Sequence, residues 1–333
     1  MSEILIVGGA GYIGSHMGKY LHAKGMRPVV LDNLSIGHRE SVRWGPLYEG
    51  DLNDEKLLDR IFKTHDIRAV MHFAAFSTVG ESVISPLKYY QNNVAATLGL
   101  LSSMIEHGVD KLIFSSTCAV YGEPTRLPMD ENHPLQPVNP YGRSKRMVEK
   151  ILDDFDSAYG LKSVCLRYFN AAGADPEGDL GEDHNPETHL IPLILRTALG
   201  LQDELTVFGN DYPTEDGTCI RDYIHITDLA QAHYLSLLYL LDDGVSEKFN
   251  LGNGSGYSIL DVITAARGVT GKEINYHFDD RRPGDPAVLV GSAEKIIGEL
   301  GWKPEFNSLE TILETAWEWH SHYPNGYRGD EHG

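Results

Sequence analysis

Near its start the chain passes from Ile4–Val7, a short apolar run rich in β-branched residues, straight into Gly8-Gly9-Ala10-Gly11-Tyr12-Ile13-Gly14. Few folds accommodate that passage. From Gly9 it reads G-x-G-x-x-G, which after a strand and before a helix is a dinucleotide cradle. The first glycine permits a tight turn, the second lets a pyrophosphate approach the backbone, and Gly14 lets helix and strand pack closely. The diphosphate would sit at the positive end of the helix. Asp32 ends the next apolar run, 18 residues beyond Gly14, where a carboxylate can hold a ribose 2′-hydroxyl. Asn33 follows instead of an arginine, so NAD is expected over NADP.

The pattern then repeats. Strands are predicted at Pro28–Leu31, Ala69–Phe73, Lys111–Ser115 and Ser163–Arg167, and helices at Ser15–Lys24, Lys56–Lys63, Leu87–His107 and Pro140–Ala158. Strands alternating with helices imply an α/β fold, a doubly wound parallel sheet of the Rossmann kind. After Phe169 the character changes. Residues 172–189 read as a long loop, and helices follow at about 191–200, 227–242, 258–270 and 308–321 with short strands between them. The expected division is a dinucleotide-binding domain, 1–175, and a smaller α/β substrate domain, 176–333, with room for some segments to return to the first.

The 48 acidic and 28 basic residues leave a formal charge of −20. Such a surface repels nucleic acid and anionic membrane, so neither is an expected partner, and a phosphorylated substrate would need local cations. Cys118, Cys165 and Cys219 are scattered and odd in number, which reads as reduced thiols in a cytoplasmic protein. Ile4–Val7 is too short for a secretion signal, and no apolar run approaches a membrane-spanning length.

Tyr141 and Lys145 stand four apart, hence on one helix face, with Pro140 at the first helical position and Asn139 as the expected cap. A phenol is a weak base at neutral pH unless positive charge lies near, and the lysine's ammonium and an oxidised nicotinamide both favour the phenolate. Tyr20 and Lys24 repeat the spacing. Only Tyr141 follows a polar strand end, Ser115-Ser116-Thr117, and ligands bind at such carboxyl ends. Thr117 is therefore placed to hydrogen-bond a hydroxyl beside the phenol.

Taken together, these stretches resemble the extended short-chain dehydrogenase/reductases, within them the NAD-dependent epimerase/dehydratase family. The resemblance rests on Gly8–Gly14, Asp32-Asn33-Leu34, His72-Phe73-Ala74-Ala75, Val79–Ser82, Tyr89–Val94, Val120-Tyr121-Gly122, Tyr141–Lys145, Arg167–Asn170 and, most specifically, Phe208–Thr218 leading into Arg221–His225. It implies a UDP-sugar 4-epimerase working through a transient 4-keto sugar with Tyr141, Lys145 and Thr117 as catalytic groups. It implies a homodimer joined through helices of the first domain. The glucose/galactose pair is the default, with the N-acetylated pair, uronates or the xylose/arabinose pair as alternatives.

By the same resemblance, cofactor contacts fall to Gly8, Gly11, Tyr12, Ile13 and Gly14, to Asp32, Asn33, Leu34, Ser35, Ile36 and Gly37, and to Asp51 and Leu52. They continue with Phe73, Ala74, Ala75, Phe76, Ser77, Asn92, Tyr141, Lys145 and Phe169. Asp51 reads equally well as a loop cap. Substrate contacts fall to Thr117, Asn170, His189, Leu190, the run Leu205, Thr206, Val207 and Phe208, then Arg221, Tyr223, Arg282 and Asp285. Arg221 and Arg282 would be the local cations for the diphosphate. Leu289 would stand beside the sugar's 2-substituent.

Ser77 stands where some relatives have a lysine, which would loosen NAD, and His189 stands where an asparagine is common. A zinc pair of His184 and His189 lacks a surrounding Cys/His cluster, so no metal is expected. A dehydratase would need an Asp-Glu pair directly after the threonine, where this chain has Cys118 and Ala119. A non-catalytic dinucleotide sensor would not need Thr117, Tyr141 and Lys145 intact.

Overall fold

The computed structural model describes residues 2–282 and 284–328. Its first half alternates as follows: β1 Glu3–Val7, α1 Tyr12–Ala23, β2 Arg27–Asp32, β3 Leu47–Glu49, α2 Glu55–Thr64, β4 Ile67–His72, α3 Val79–Ile84, α4 Pro86–Tyr90, α5 Ala96–Glu106, β5 Lys111–Ser115, α6 Pro140–Tyr159, β6 Lys162–Tyr168 and β7 Asn170–Ala172. The second half holds α7 Leu190–Ala198, β8 Leu205–Phe208, β9 Ile220–Arg221, β10 Tyr223–His225, α8 Ile226–Leu241, β11 Glu247–Leu251, β12 Tyr257–Ser258, α9 Ile259–Thr270, β13 Tyr276–Asp279, β14 Val288–Leu289, α10 Glu294–Leu300 and α11 Leu309–His322.

Seven parallel strands form the central sheet in the order β11-β6-β5-β4-β1-β2-β3. Successive side chains on a strand point to opposite faces. Ile4 and Ile6 accordingly pack with Met17 and Leu21 of α1 and Leu229 and Leu237 of α8. Leu5 and Val7 face the other way, against α2, α5 and α6 through Leu58, Leu101 and Val148. Fully burying each such side chain is worth roughly 1.5–3 kcal/mol, so helices on both faces are what this strand composition demands.

Three features go beyond the alternation read from the sequence. The seventh strand, β11, comes from residues 247–251 and pairs with β6, while α8 packs on α1. Leu87–His107 is not one helix but α4, a π-helical turn at Gln91–Ala95, and α5. β3 and α3 were not expected. A third core, under α7, α9 and α11, is built on Leu195, Ile263 and Leu313 with the strands β8 and β13 beside it.

One buried ion pair ties these layers. Arg167 on β6 donates from Nε and Nη2 to the two carboxylate oxygens of Glu149 on α6, at 2.8 and 2.7 Å. Ser116 adds a bond to the same carboxylate at 2.7 Å, and Arg167 Nη1 reaches the Tyr121 hydroxyl at 3.0 Å. Tyr121 in turn donates to Asn250 of β11 at 2.6 Å. Removing one partner of a buried pair leaves the other charge stranded, typically at 3–5 kcal/mol. Arg167→Met should therefore lower unfolding stability in urea by about that amount, whereas Glu149→Leu combined with Arg167→Met should regain much of the loss. Equal losses in the single and double variants would contradict this account.

Candidate active site

The glycine turn has the tight geometry its sequence predicts. A Cβ on Gly14 would lie 2.2 Å from the carbonyl oxygen of Gly8, and one on Gly8, at φ +81°, 2.5 Å from the amide of Ala74. At Gly11 the nearest atom would be 3.5 Å away. That position is tight against nothing, leaving room beside the N-terminus of α1. Asp32 Oδ2 accepts from the Ala10 amide at 2.9 Å and Oδ1 from that of Leu34 at 2.8 Å. Burial raises this carboxyl, and the two amides oppose the rise. Leu34 holds the left-handed φ of +56°, uncommon for a leucine.

Asp51 does cap the next loop, accepting from the Asn53 amide at 2.9 Å, and it also accepts from Asn33 at 3.0 Å. On the opposite wall Phe73–Ser77 leave β4. Their path is set by Asn93, whose side chain exchanges two 2.9 Å bonds with the main chain of Phe76 and donates to Ser144 at 3.1 Å. Asn93 lies in the π turn beside Asn92 and was not picked out from the sequence, because its partner is reached only across the fold. The open ground at Gly11, the Asp32 carboxylate and the half-open Asn33 and Asp51 make a donor and acceptor set that fits a dinucleotide.

Asn139 caps α6 by accepting from the Gly142 amide at 2.8 Å, which starts the helix at Pro140 and sets Tyr141 and Lys145 on its inner face. Thr117, buried at the end of β5, lies beside the Tyr141 phenol and accepts from the Ala119 amide at 3.1 Å. Lys145, 3 % exposed, donates to the Ser115 carbonyl at 2.7 Å and lies over the Phe114 ring. Burial pushes the Tyr141 phenol up to about 12, with Thr117 opposing, and pushes Lys145 down to about 7. In the chain alone desolvation outweighs Thr117 at the phenol, while the Lys145 amine is turned to the Ser115 carbonyl. Burial likewise pushes the adjacent Cys118 thiol up to about 12. Tyr20 packs on Tyr234 under Lys24, away from this constellation.

Across the cleft, Asn170 donates through Nδ2 to the Asp222 carbonyl at 2.8 Å, and Phe169 packs closely over Gly291. Arg221 and Asp285, expected to make separate contacts, bind each other. Arg282 lies over the Phe208 ring at 4.1 Å. On β8, the side chains of Leu205 and Val207 turn into the third core, while those of Thr206 and Phe208 are partly exposed. Tyr223 is buried, and Leu289, paired in register with Arg221, packs, as Cys118 and Phe169 do, against the buried cluster of Val120, Tyr121 and Met129. His189 precedes α7 and lies against Glu182 at 2.6 Å, with His184 and Glu187 beside it. Two carboxylates therefore accompany the histidine pair.

The three cysteines are free, and among the described residues no helix is long and apolar enough to cross a membrane. Residues 4–252 match the model of the NAD dependent epimerase/dehydratase family. A UDP-glucose 4-epimerase of Halalkalibacterium halodurans is 54% identical over 324 residues, covering 97% of both chains. The structure of UDP-glucose 4-epimerase from Brucella ovis in complex with NAD superposes with a TM-score of 0.93 at 48% identity, covering 95% of this chain and 98% of that one. The enzyme from Bifidobacterium longum in complex with NAD+ and UDP gives 0.94 at 39% identity, covering 98% of this chain and 100% of that one.

Lys145 makes the site costly to fold. Its folded pKa is depressed, so between about pH 7 and 10.5 the unfolded chain binds more protons and stability rises with pH. In protein stripped of dinucleotide, Lys145→Met should raise Tm at pH 6, and the gain should shrink toward pH 10. A gain that stays flat across that range would show that the lysine's charge is not what burial penalises.

Proposed function

The chain belongs to the NAD-dependent epimerase/dehydratase family, and we propose that it is a UDP-glucose 4-epimerase, interconverting UDP-galactose and UDP-glucose through a transient 4-keto sugar. The observation that carries this reading is the Thr117, Tyr141 and Lys145 constellation with Cys118 and Ala119 beside it. Proton transfer at one hydroxyl is provided for, and elimination is not: a thiol held near 12 and a methyl group cannot serve as an acid–base pair.

NAD, when bound, supplies the acceptor and later donor of the C4 hydrogen and a positive charge that favours the phenolate. Tyr141 takes the proton of the sugar's 4-hydroxyl and gives it back. Thr117 orients that hydroxyl. Lys145 fixes the α6 face against the end of β5 and keeps a cation within the buried wall. For the product to differ at C4, the ketone must present its other face, so the sugar ring has to be held from its nucleotide end. We assign that end to Arg221, Asp285, Arg282 and Phe208, the sugar to Thr117 and Asn170, and the 2-position to Leu289. Residues 1–175 serve the cofactor and 176–333 chiefly the substrate. A cytoplasmic location suits three free thiols. The exposed Val83, Ile84 and Leu87 on α3 and α4 suit a second copy of the chain.

UDP-galactose carrying deuterium at C4 should give UDP-glucose that keeps the label at C4. In heavy water no deuterium should enter carbon, and N-acetylated UDP-sugars should turn over more slowly past Leu289. Product mass spectra decide it: label lost to solvent or found at C6, or a product lighter by one water, would exclude a 4-epimerase. Tyr141→Phe should cut turnover by at least 100-fold, about the contribution of a positioned acid–base group. Tyr20→Phe is the control and should leave it within twofold. Similar activity in the two variants would misplace the site.

A further inference from the structure

Within eight residues of chain, Glu182, His184, Glu187 and His189 bring two imidazole nitrogens and two carboxylates together, all four donor atoms within 4.8 Å of one another. We propose that these four side chains bind one divalent transition-metal ion, zinc foremost, which clips loop 173–189 to the start of α7.

The spacing of the donors supports this. Four ligands at 2.0–2.1 Å from a tetrahedral zinc stand about 3.3 Å from each other. His184 Nδ1 lies 3.3 Å from Glu182 and 3.6 Å from Glu187, and His189 Nδ1 lies 3.5 Å from Glu187. The 2.6 Å approach of His189 to Glu182 has to widen, and the remaining donors, all within 4.8 Å of one another, have to draw onto one centre. Glu182 is 4 % exposed, and its Oε1, like Nδ1 of His184, lies buried without a properly directed hydrogen bond. Lone pairs that converge without aligning on one another are what a shared ion would satisfy. His189 is half-exposed and offers a way in, and a cavity of about 20 Å³ adjoins Glu182, His184 and Glu187.

A neighbouring cluster makes the contrast. Asp175, Glu177 and Asp179 also converge, but the ammonium of Lys19 lies 2.6–2.7 Å from all three and already occupies the point where they meet. No lysine or arginine among the described residues is ion-paired with the Glu182 set, so its positive charge comes from protons on the histidines or from a metal. Two imidazoles and two carboxylates in a four-coordinate arrangement suit zinc better than a hard cation, which would seek six or more oxygens. The site has reach, because His184 packs edge-on against the Tyr12 ring, whose hydroxyl donates to the Gly173 carbonyl at 2.6 Å. The clip would thereby brace the glycine turn from outside.

The test uses the full-length, untagged protein, treated with chelator, incubated with Zn2+ and dialysed. The expected result is one zinc per chain by mass spectrometry, a Tm several degrees above the chelated form, and release on acidification from pH 8 to 6 as protons reclaim the imidazoles. His184→Gln with Glu187→Gln should lose both the zinc and the Tm gain. Co2+ added to the chelated wild type should give the visible absorption of a four-coordinate site, a readout that does not depend on the variant folding. Wild type that retains no zinc and shows no Tm shift, or a folded variant that retains as much as wild type, would overturn the proposal. So would Co2+ giving only the weak spectrum of its aqueous ion.

Discussion

The Glu149–Arg167 pair is the interaction on which the rest of the molecule leans. It lies where α6, β6 and the end of β5 meet, and both partners are held from several sides: the carboxylate accepts from Arg167, Ser116 and Arg146, and the guanidinium donates to Glu149 and Tyr121. Charges removed from water repay their desolvation only when they are paired and hydrogen-bonded in this way. The functional return is positional. Tyr141, Lys145 and Glu149 follow at intervals of four on α6, so anchoring the third presents the first two at a fixed height over Thr117, the neighbour of Ser116.

Opposed demands meet on that helix face. Burial stabilises the fold, yet it drives the phenol up and the lysine down. The chain accepts an inner wall that is electrostatically unfavourable without its ligands, which is characteristic of sites that act by preorganised charge. The π turn at Gln91–Ala95 reflects a similar compromise, since it breaks the regular ladder where Asn93 must reach the main chain of Phe76.

How much of this was legible in the sequence follows from the range of the interactions. The glycine turn, the Asn139 cap and the Tyr141–Lys145 face are decided within a few residues, and all three are found where the sequence places them. Glu149 is equally local on its helix, but its importance lies in Arg167, a partner that spacing cannot announce. β11, with the sequence Glu-Lys-Phe-Asn-Leu, carries too little apolar pattern to declare itself a strand and becomes one by pairing with β6. Strand alternation divides the run 205–208, turning the side chains of Leu205 and Val207 inward and leaving those of Thr206 and Phe208 partly exposed. The carboxylates beside His184 and His189 carry no signal of their own in the sequence, since glutamates are common in so acidic a chain.

The late arrival of β11 bears on how the chain is made. During synthesis the first six strands of the sheet emerge by residue 168, but the outer edge of β6 then stays unpaired until residues 247–251 appear. For some eighty residues of elongation the nascent sheet presents a bare row of main-chain donors and acceptors, the kind of border that recruits foreign strands. The Tyr121–Asn250 bond and the α8 layer are also missing in that interval. The nascent sheet is thus held incomplete until a short, weakly patterned segment returns to seal it, and ribosomal stalling between residues 168 and 247 would leave an aggregation-prone intermediate.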